Sequence, residues 1–280
     1  MKTFFVILLA MLGSFVLAAL IATWIFRSDV KTASSHLLSL SPTSDKIITA
    51  DMLTDLPAPA QRYLKTAGLI GKPVSNTMRL KQTGKFRGGT DKPWMQVQAE
   101  QYFTIEPAGF IWDAGFTMFG IPAARAYDSH MDSKGGMVGR LFGLFPLMDA
   151  KGAELSQGTL LRYLTELVWM PTGYLGENIT WAEHDDNSAI VSIRDGNQSV
   201  SAVLFFNAYG DVVNIEAQRY GEFGGKYEMH TWMIPVTAYA EFQGVRIPSE
   251  GQVTWKLPAG DFTYFNWKIV DLEYKVTEPY

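Results

Sequence analysis

The hydrophobic pattern of this chain changes period as it is read from the N-terminus. From Phe4 to Phe26, 23 consecutive residues carry no charge (FFVILLAMLGSFVLAALIATWIF). A helix needs roughly 20 such residues to cross the hydrocarbon core of a bilayer. Trp24 followed by Arg27 marks an interfacial boundary. The reading is an uncleaved anchor over residues 1–27. The alternative is a cleaved signal ending near Val16-Leu17-Ala18, past which the apolar run continues. Residues 28–50 are rich in Ser, Thr and Ala without clear periodicity, and are expected to form a tether. A helix follows, with Leu56, Ala60, Tyr63, Leu64 and Ala67 on one face. Asp55 is its expected cap, and Gly68 its left-handed end.

From Lys72 the period becomes 2, and Gly, Pro, Asn and Asp punctuate the sequence at short intervals. The runs 78–86 and 95–105 alternate cleanly on either side of a GGTDKP turn. Keeping their apolar faces together sets Lys81 opposite Glu100 and Arg87 opposite Trp94, both favourable cross-strand pairs. Further strands are expected at 109–118, 123–133, 179–184, 188–195, 198–207, 211–220, 226–234, 236–242, 245–257 and 261–276. In the last of these the apolar parity changes between Ile269 and Val270, which predicts a bulge or a strand buried on different faces at its two ends. Segment 136–148 (GMVGRLFGLFPLM) is apolar on both parities. It reads as a buried strand or as a flap over an apolar space.

One helix interrupts this pattern. Leu160, Leu161, Leu164, Leu167 and Val168 form a broad stripe between Ser156, the expected N-cap, and Pro171, which stops the helix. A helix apolar over much of its circumference belongs inside something. The expected fold is therefore mainly β: a strongly curved antiparallel half-barrel of about 10–12 strands enclosing one or two helices. It forms a single β-rich domain over residues 51–280, behind an N-terminal transmembrane helix.

Composition narrows the function. The 280-residue chain is 47% hydrophobic and 19% charged with a formal net charge of −4, and gives no reason to expect nucleic acid. The absence of cysteine excludes disulfides, thiolate nucleophiles, Cys-ligated metals and lipid attachment through an N-terminal cysteine. No G-x-S-x-G, G-x-x-x-x-G-K-[ST] or H-E-x-x-H motif is present, nor a strand-associated G-x-G-x-x-G, and nothing calls for a metal or other cofactor.

Two clusters are candidates for an envelope enzyme. Asp128, His130 and Asp132 alternate on one strand face, a row that could bind a divalent metal or orient the imidazole as a base, and Glu228 with His230 share another face. The simpler reading of both is an outward polar face. Arg79, Lys81, Lys85 and Arg87 form a basic stripe, read as solvated surface or a guarded strand edge, with lipid phosphate as the alternative. Arg162 and Glu166 form an i,i+4 pair beside the apolar stripe.

The landmarks LPAPAQRYL, AEQYFTIEPAGFIWDA, GLFPLMDAKGAELSQGTLLRYLTELVWMPTGYL and GVRIPSEGQVTWKLP, in this order, resemble those of a bacterial family of unknown function over roughly residues 50–275. The resemblance implies no catalytic or binding residue. A curved sheet enclosing a helix also resembles, in architecture only, the periplasmic lipoprotein- and lipid-carrier half-barrels.

The leading expectation is an extracytoplasmic domain on the cytoplasmic membrane, anchored through residues 4–26, with an apolar interior that takes a lipid-like ligand. Phe142, Phe145, Leu160, Leu164 and Trp169 are the expected lining residues, Arg162 the headgroup contact, and 136–148 the gate. A structural or partner-binding envelope module is the third reading.

Overall fold

The computed structural model describes residues 1–280. The alternating segments form fourteen strands: β1 (Thr77–Phe86), β2 (Met95–Thr104), β3 (Gly109–Met118), β4 (Ile121–Met131), β5 (Lys134–Leu141), β6 (Phe145–Ala150), β7 (Ile179–Asp185), β8 (Ser188–Asp195), β9 (Gln198–Phe206), β10 (Val212–Phe223), β11 (Lys226–Met233), β12 (Val236–Phe242), β13 (Val245–Leu257) and β14 (Gly260–Tyr274). All belong to one sheet, in the order β6-β5-β4-β3-β2-β1-β14-β13-β11-β10-β9-β8-β7, with β12 paired to β13 beyond the end of β11. Every pairing is antiparallel, and the sheet curls into a half-barrel.

The predicted register is present. Lys81 lies opposite Glu100, and the Arg87 guanidinium sits 4.7 Å from the centroid of the Trp94 ring. The predicted bulge is present too: Lys81 pairs with Asp271 and Gln82 with Ile269, so Val270 is the extra residue. Segment 136–148 is neither one buried strand nor a flap. It folds as the β5–β6 hairpin, whose two strands bring the total above the expected 10–12. The basic stripe is not at an edge, because β1 is paired on both sides. Arg79 and Lys81 instead meet Glu273, Asp271 and the ring of Tyr280.

Helix α1 (Lys2–Ser39) runs through most of the expected tether. Its C-terminal half packs on the convex face of the sheet, where Val30, Leu37 and Leu38 are buried with Tyr102, Ile111 and Val276. Helix propensity in the Ser/Ala-rich stretch is sufficient once this surface is available. Helix α2 (Ala58–Thr66) starts after Pro57, and Asp55 makes no cap. Gly68 does end it in the left-handed region, with φ of 76°.

Helix α3 (Ala153–Glu166) continues as a 3-10 turn to Trp169 and plugs one end of the half-barrel. Ser156 is not its N-cap. It sits within the first turn, where its hydroxyl donates to the Gly152 carbonyl and accepts from the Gly135 N–H. The apolar stripe is fully buried in the main core, each leucine contributing about 1.5–3 kcal/mol. A buried helix end would strand its last carbonyls. Here tyrosine hydroxyls supply the donors: Tyr174 to Leu164 (3.1 Å), Tyr63 to Val168 (3.2 Å) and Tyr274 to Trp169 (2.7 Å). Burial pushes all three phenols up from their ordinary pKa, so they stay protonated and keep donating.

Candidate functional site

The strand registers place the β1–β2, β3–β4, β5–β6, β10–β11 and β13–β14 turns at the end of the half-barrel opposite the plug. Between that open end and α3 lies a cavity of about 520 Å³, within the usual size range of ligand pockets. Of its 40 lining residues 27 are hydrophobic, and they come from both arms of the sheet and from α3. One cause of the void is visible in the ladder. Ala114, Ala126 and Gly139 are direct neighbours across β3, β4 and β5, so at this row the three strands present almost no side-chain volume inward. The facing wall is aromatic, with Phe223, Trp232, Trp255 and Phe262 among its residues.

The two sides of α3 do different work. Leu160 and Leu164 point into the dry core and do not line the cavity. Glu154, Gly158, Arg162 and Glu166, spaced at i,i+4, form the cavity floor, with Trp169 beyond them. Arg162 is held within the protein. Its Nη1 donates to Asp128 at 2.7 Å and its Nε to Glu166 at 2.8 Å, while Phe110 and Trp112 flank the guanidinium at 4.9 Å. Gln101 Nε2 donates to the other oxygen of Glu166 at 2.7 Å. Burial pulls the Arg162 pKa down, but the two carboxylates more than offset this and leave it raised. Burial likewise raises the Asp128 carboxyl, against the fields of Arg162 and Arg219.

Two cavity-lining arginines, Arg87 and Arg219, each use only Nε on a backbone carbonyl, and the one beside α3 is Arg219. Its Nε donates to the Gly158 carbonyl at 3.2 Å, and its guanidinium carbon lies 4.6 Å from the Trp232 ring centroid and 5.7 Å from that of Trp255. Neither Nη group has a protein acceptor, and no carboxylate lies within ion-pair distance. Burial lowers its pKa from the ordinary arginine value, as expected for a cation out of water. It lines the cavity. The sequence held a signal for it: Ile215, Ala217, Arg219 and Gly221 share one parity, so a guanidinium interrupts the inward face of β10.

Other expected site residues lie elsewhere. Phe142 is in the left-handed region (φ 51°) at the β5–β6 turn and packs edge-on against Phe15 of α1, outside the cavity. Phe145 is half exposed on edge strand β6. Neither lines the interior: Phe142 leaves the ladder at the turn, and Phe145 projects from the exposed edge strand.

Asp128 and His130 are buried rather than outward. Tyr127 and Met131, on the other parity, pack under α1, so both faces of β4 are covered. His130 is fully enclosed, with Nε2 2.7 Å from Asp195 and Nδ1 3.1 Å from the Thr159 hydroxyl. It ties the β4–β5 and β8–β9 turns to α3 and does not reach the cavity. Asp132 lies in the adjoining turn with φ of 52°. Glu228 and His230 contact each other at 3.0 Å, but β11 does not pair with β4, so the two clusters do not converge.

The fold and cavity thus define a curled antiparallel half-barrel with an apolar interior and an apolar N-terminal helix long enough to cross a membrane. The model of the family of unknown function DUF6544 matches residues 46–267, and the chain belongs to that family. Among solved structures, it is similar to a DUF1329 family protein from Desulfovibrio piger. That match has a TM-score of 0.43 and 11% identity, covering 78% of this chain and 92% of the other. A LolA superfamily protein from Nitrosomonas europaea is similar at a TM-score of 0.33 and 11% identity, covering 78% and 94%. No curated protein matches.

Proposed function

We propose that this protein is held in the cytoplasmic membrane by α1, with its body on the extracytoplasmic side, and that the cavity binds a lipid-like amphiphile with an acidic headgroup. The observation that carries this is Arg219: a guanidinium at an apolar cavity wall, stacked on tryptophan, whose two Nη groups lack protein acceptors. Each methylene taken from water contributes about 0.8 kcal/mol, so an acyl chain supplies affinity without selectivity. Charge-assisted hydrogen bonds to the headgroup supply selectivity, about 1.5–3 kcal/mol each. The reading assigns the headgroup contact to Arg219 rather than Arg162, whose Nη1 and Nε are taken by Asp128 and Glu166. The enclosure of His130 argues against a reaction centred there.

The test is native mass spectrometry of the full chain purified in a synthetic detergent. An acyl-bearing, acidic species released from the protein is the expected result. A protein that carries only detergent, and takes up no fatty acid when one is added, rejects the reading.

A further inference from the structure

We propose that the β3–β4 and β5–β6 turns insert into the bilayer that α1 crosses, so that the cavity opens onto the membrane. The proposal rests on α1 as a retained anchor, and the ligand's route rests on the lipid-binding reading above.

The sequence marks both turns. No charged residue occurs between Asp113 and Arg125, or between Arg140 and Asp149. Each gap spans one of these turns, and both turns lie at the mouth of the half-barrel. The side chains there are large and unburied: Phe119 is 89% exposed, Ile121 62%, Leu147 58% and Phe145 52%. Contiguous apolar surface of this kind marks an interaction site.

The path of α1 says what covers it. Leu37 packs at Gly109, by the plugged end. Thr23 lies against Gly143, in the β5–β6 turn at the mouth, and Phe15 meets Phe142 with ring centroids 6.0 Å apart. The helix therefore leaves the body on the mouth side, and any bilayer it crosses lies there.

Charge gives the level. Asp113 pairs with Arg125, and burial holds its carboxyl above the ordinary pKa against the fields of Arg125 and the nearby Arg27. Arg125 is opposite Arg140 in the ladder, and Arg140 lies 3.9 Å from Asp149. This belt, on α1 and four strands, separates a charged body from charge-free tips. Ile121 is four residues past Arg125, about 13 Å at ~3.3 Å per residue. That depth reaches the upper acyl region of one leaflet of a core about 30 Å thick.

Strand edges in hydrocarbon are costly because their donors go unpaired. The tips limit that cost. Pro122 and Pro146 have no N–H, the Phe142 N–H donates to the Ala123 carbonyl, and the Leu144 N–H to Leu141. Leu147 and Met148 also line the cavity. The strand that meets lipid is thus the lip of the cavity, and an acyl chain passes between them without crossing water.

The cysteine-free chain allows a direct test. Phe119→Cys and Phe145→Cys would each carry an environment-sensitive nitrobenzoxadiazole label in the full chain. The protein would be reconstituted in phosphatidylcholine–phosphatidylglycerol vesicles. Tyr209→Cys is the control, on the β9–β10 turn beside α2 and away from the mouth. Labels at 119 and 145 should be quenched several-fold more by nitroxide lipids, and less by aqueous iodide, than the label at 209. Iodide quenching equal to that at 209 overturns the proposal. So does shielding from both quenchers, which would mean that a second copy covers the tips. Cavity contents are measured on the same vesicles by mass spectrometry. Inserted tips over a cavity that takes no lipid would reject the ligand reading alone, and water-exposed tips beside an occupied cavity would reject the docking alone.

Discussion

Arg162 donates to Asp128 across 2.7 Å and thereby joins the helical plug to β4 at the cavity floor. Both groups are almost fully buried, so neither can lose its partner without leaving a charge out of water. Arg162→Met should cost about 3–5 kcal/mol in a urea unfolding experiment, since Asp128 and Glu166 are then uncompensated. Adding Asp128→Asn and Glu166→Gln should recover much of that loss. Recovery of nothing would mean that the arginine's packing between Phe110 and Trp112 dominates.

Arg219→Gln should weaken binding of a long-chain fatty acid roughly 10- to 100-fold, the effect of losing one or two charge-assisted bonds. The affinity for a neutral monoacylglycerol should stay within about twofold. Titration calorimetry with both ligands checks this. Equal weakening for the two would assign Arg219 to packing on Trp232 and Trp255.

Ala126 sits between Ala114 and Gly139 and lines the cavity. Ala126→Trp should fill the cavity, abolish fatty-acid uptake and leave the thermal midpoint unchanged or raised, because the ring enters existing space. Retained uptake would put the ligand elsewhere.

The hydrogen bond from His130 holds the Asp195 carboxyl below its usual pKa, ahead of the opposing effect of burial. A depressed carboxylate stabilises the fold above its unfolded pKa, about 3.9, and loses that contribution as pH falls through the folded value. The wild-type urea midpoint should therefore drop below about pH 4 more steeply than that of Asp195→Asn, which should already be less stable at pH 7. Parallel pH curves would remove Asp195 from the acid transition.

The half-barrel was legible because antiparallel strands write their burial as alternation, and because turn residues separate nearly all of them. Even the bulge at Val270 showed as a change of parity. Parity failed where both faces of a strand are covered. On β4, Tyr127 and Met131 meet α1 while Asp128 and His130 meet α3, so the polar set looked outward although it is the buried one. Their partners Arg162, Thr159 and Asp195 come from other elements, and no local spacing announces them. An apolar interior was legible, but which residues line it was not, for a related reason. It depends on small residues becoming neighbours across three strands, whereas Phe142 and Phe145 drew notice by size and lie outside it. Arg219 could have been found as a charge that interrupts the inward parity of β10.

From Ser14 to Ser39, α1 contains neither glycine nor proline, and it is a single helix from the apolar run to the sheet. A diffusible carrier ferries cargo, and one on a loose leash sweeps a radius. On the anchored reading proposed above, a body mounted on a stiff mast does neither: its standoff and tilt are set once, and a ligand it takes up would be surrendered on the spot, to an acceptor that comes alongside or back to the leaflet beneath it.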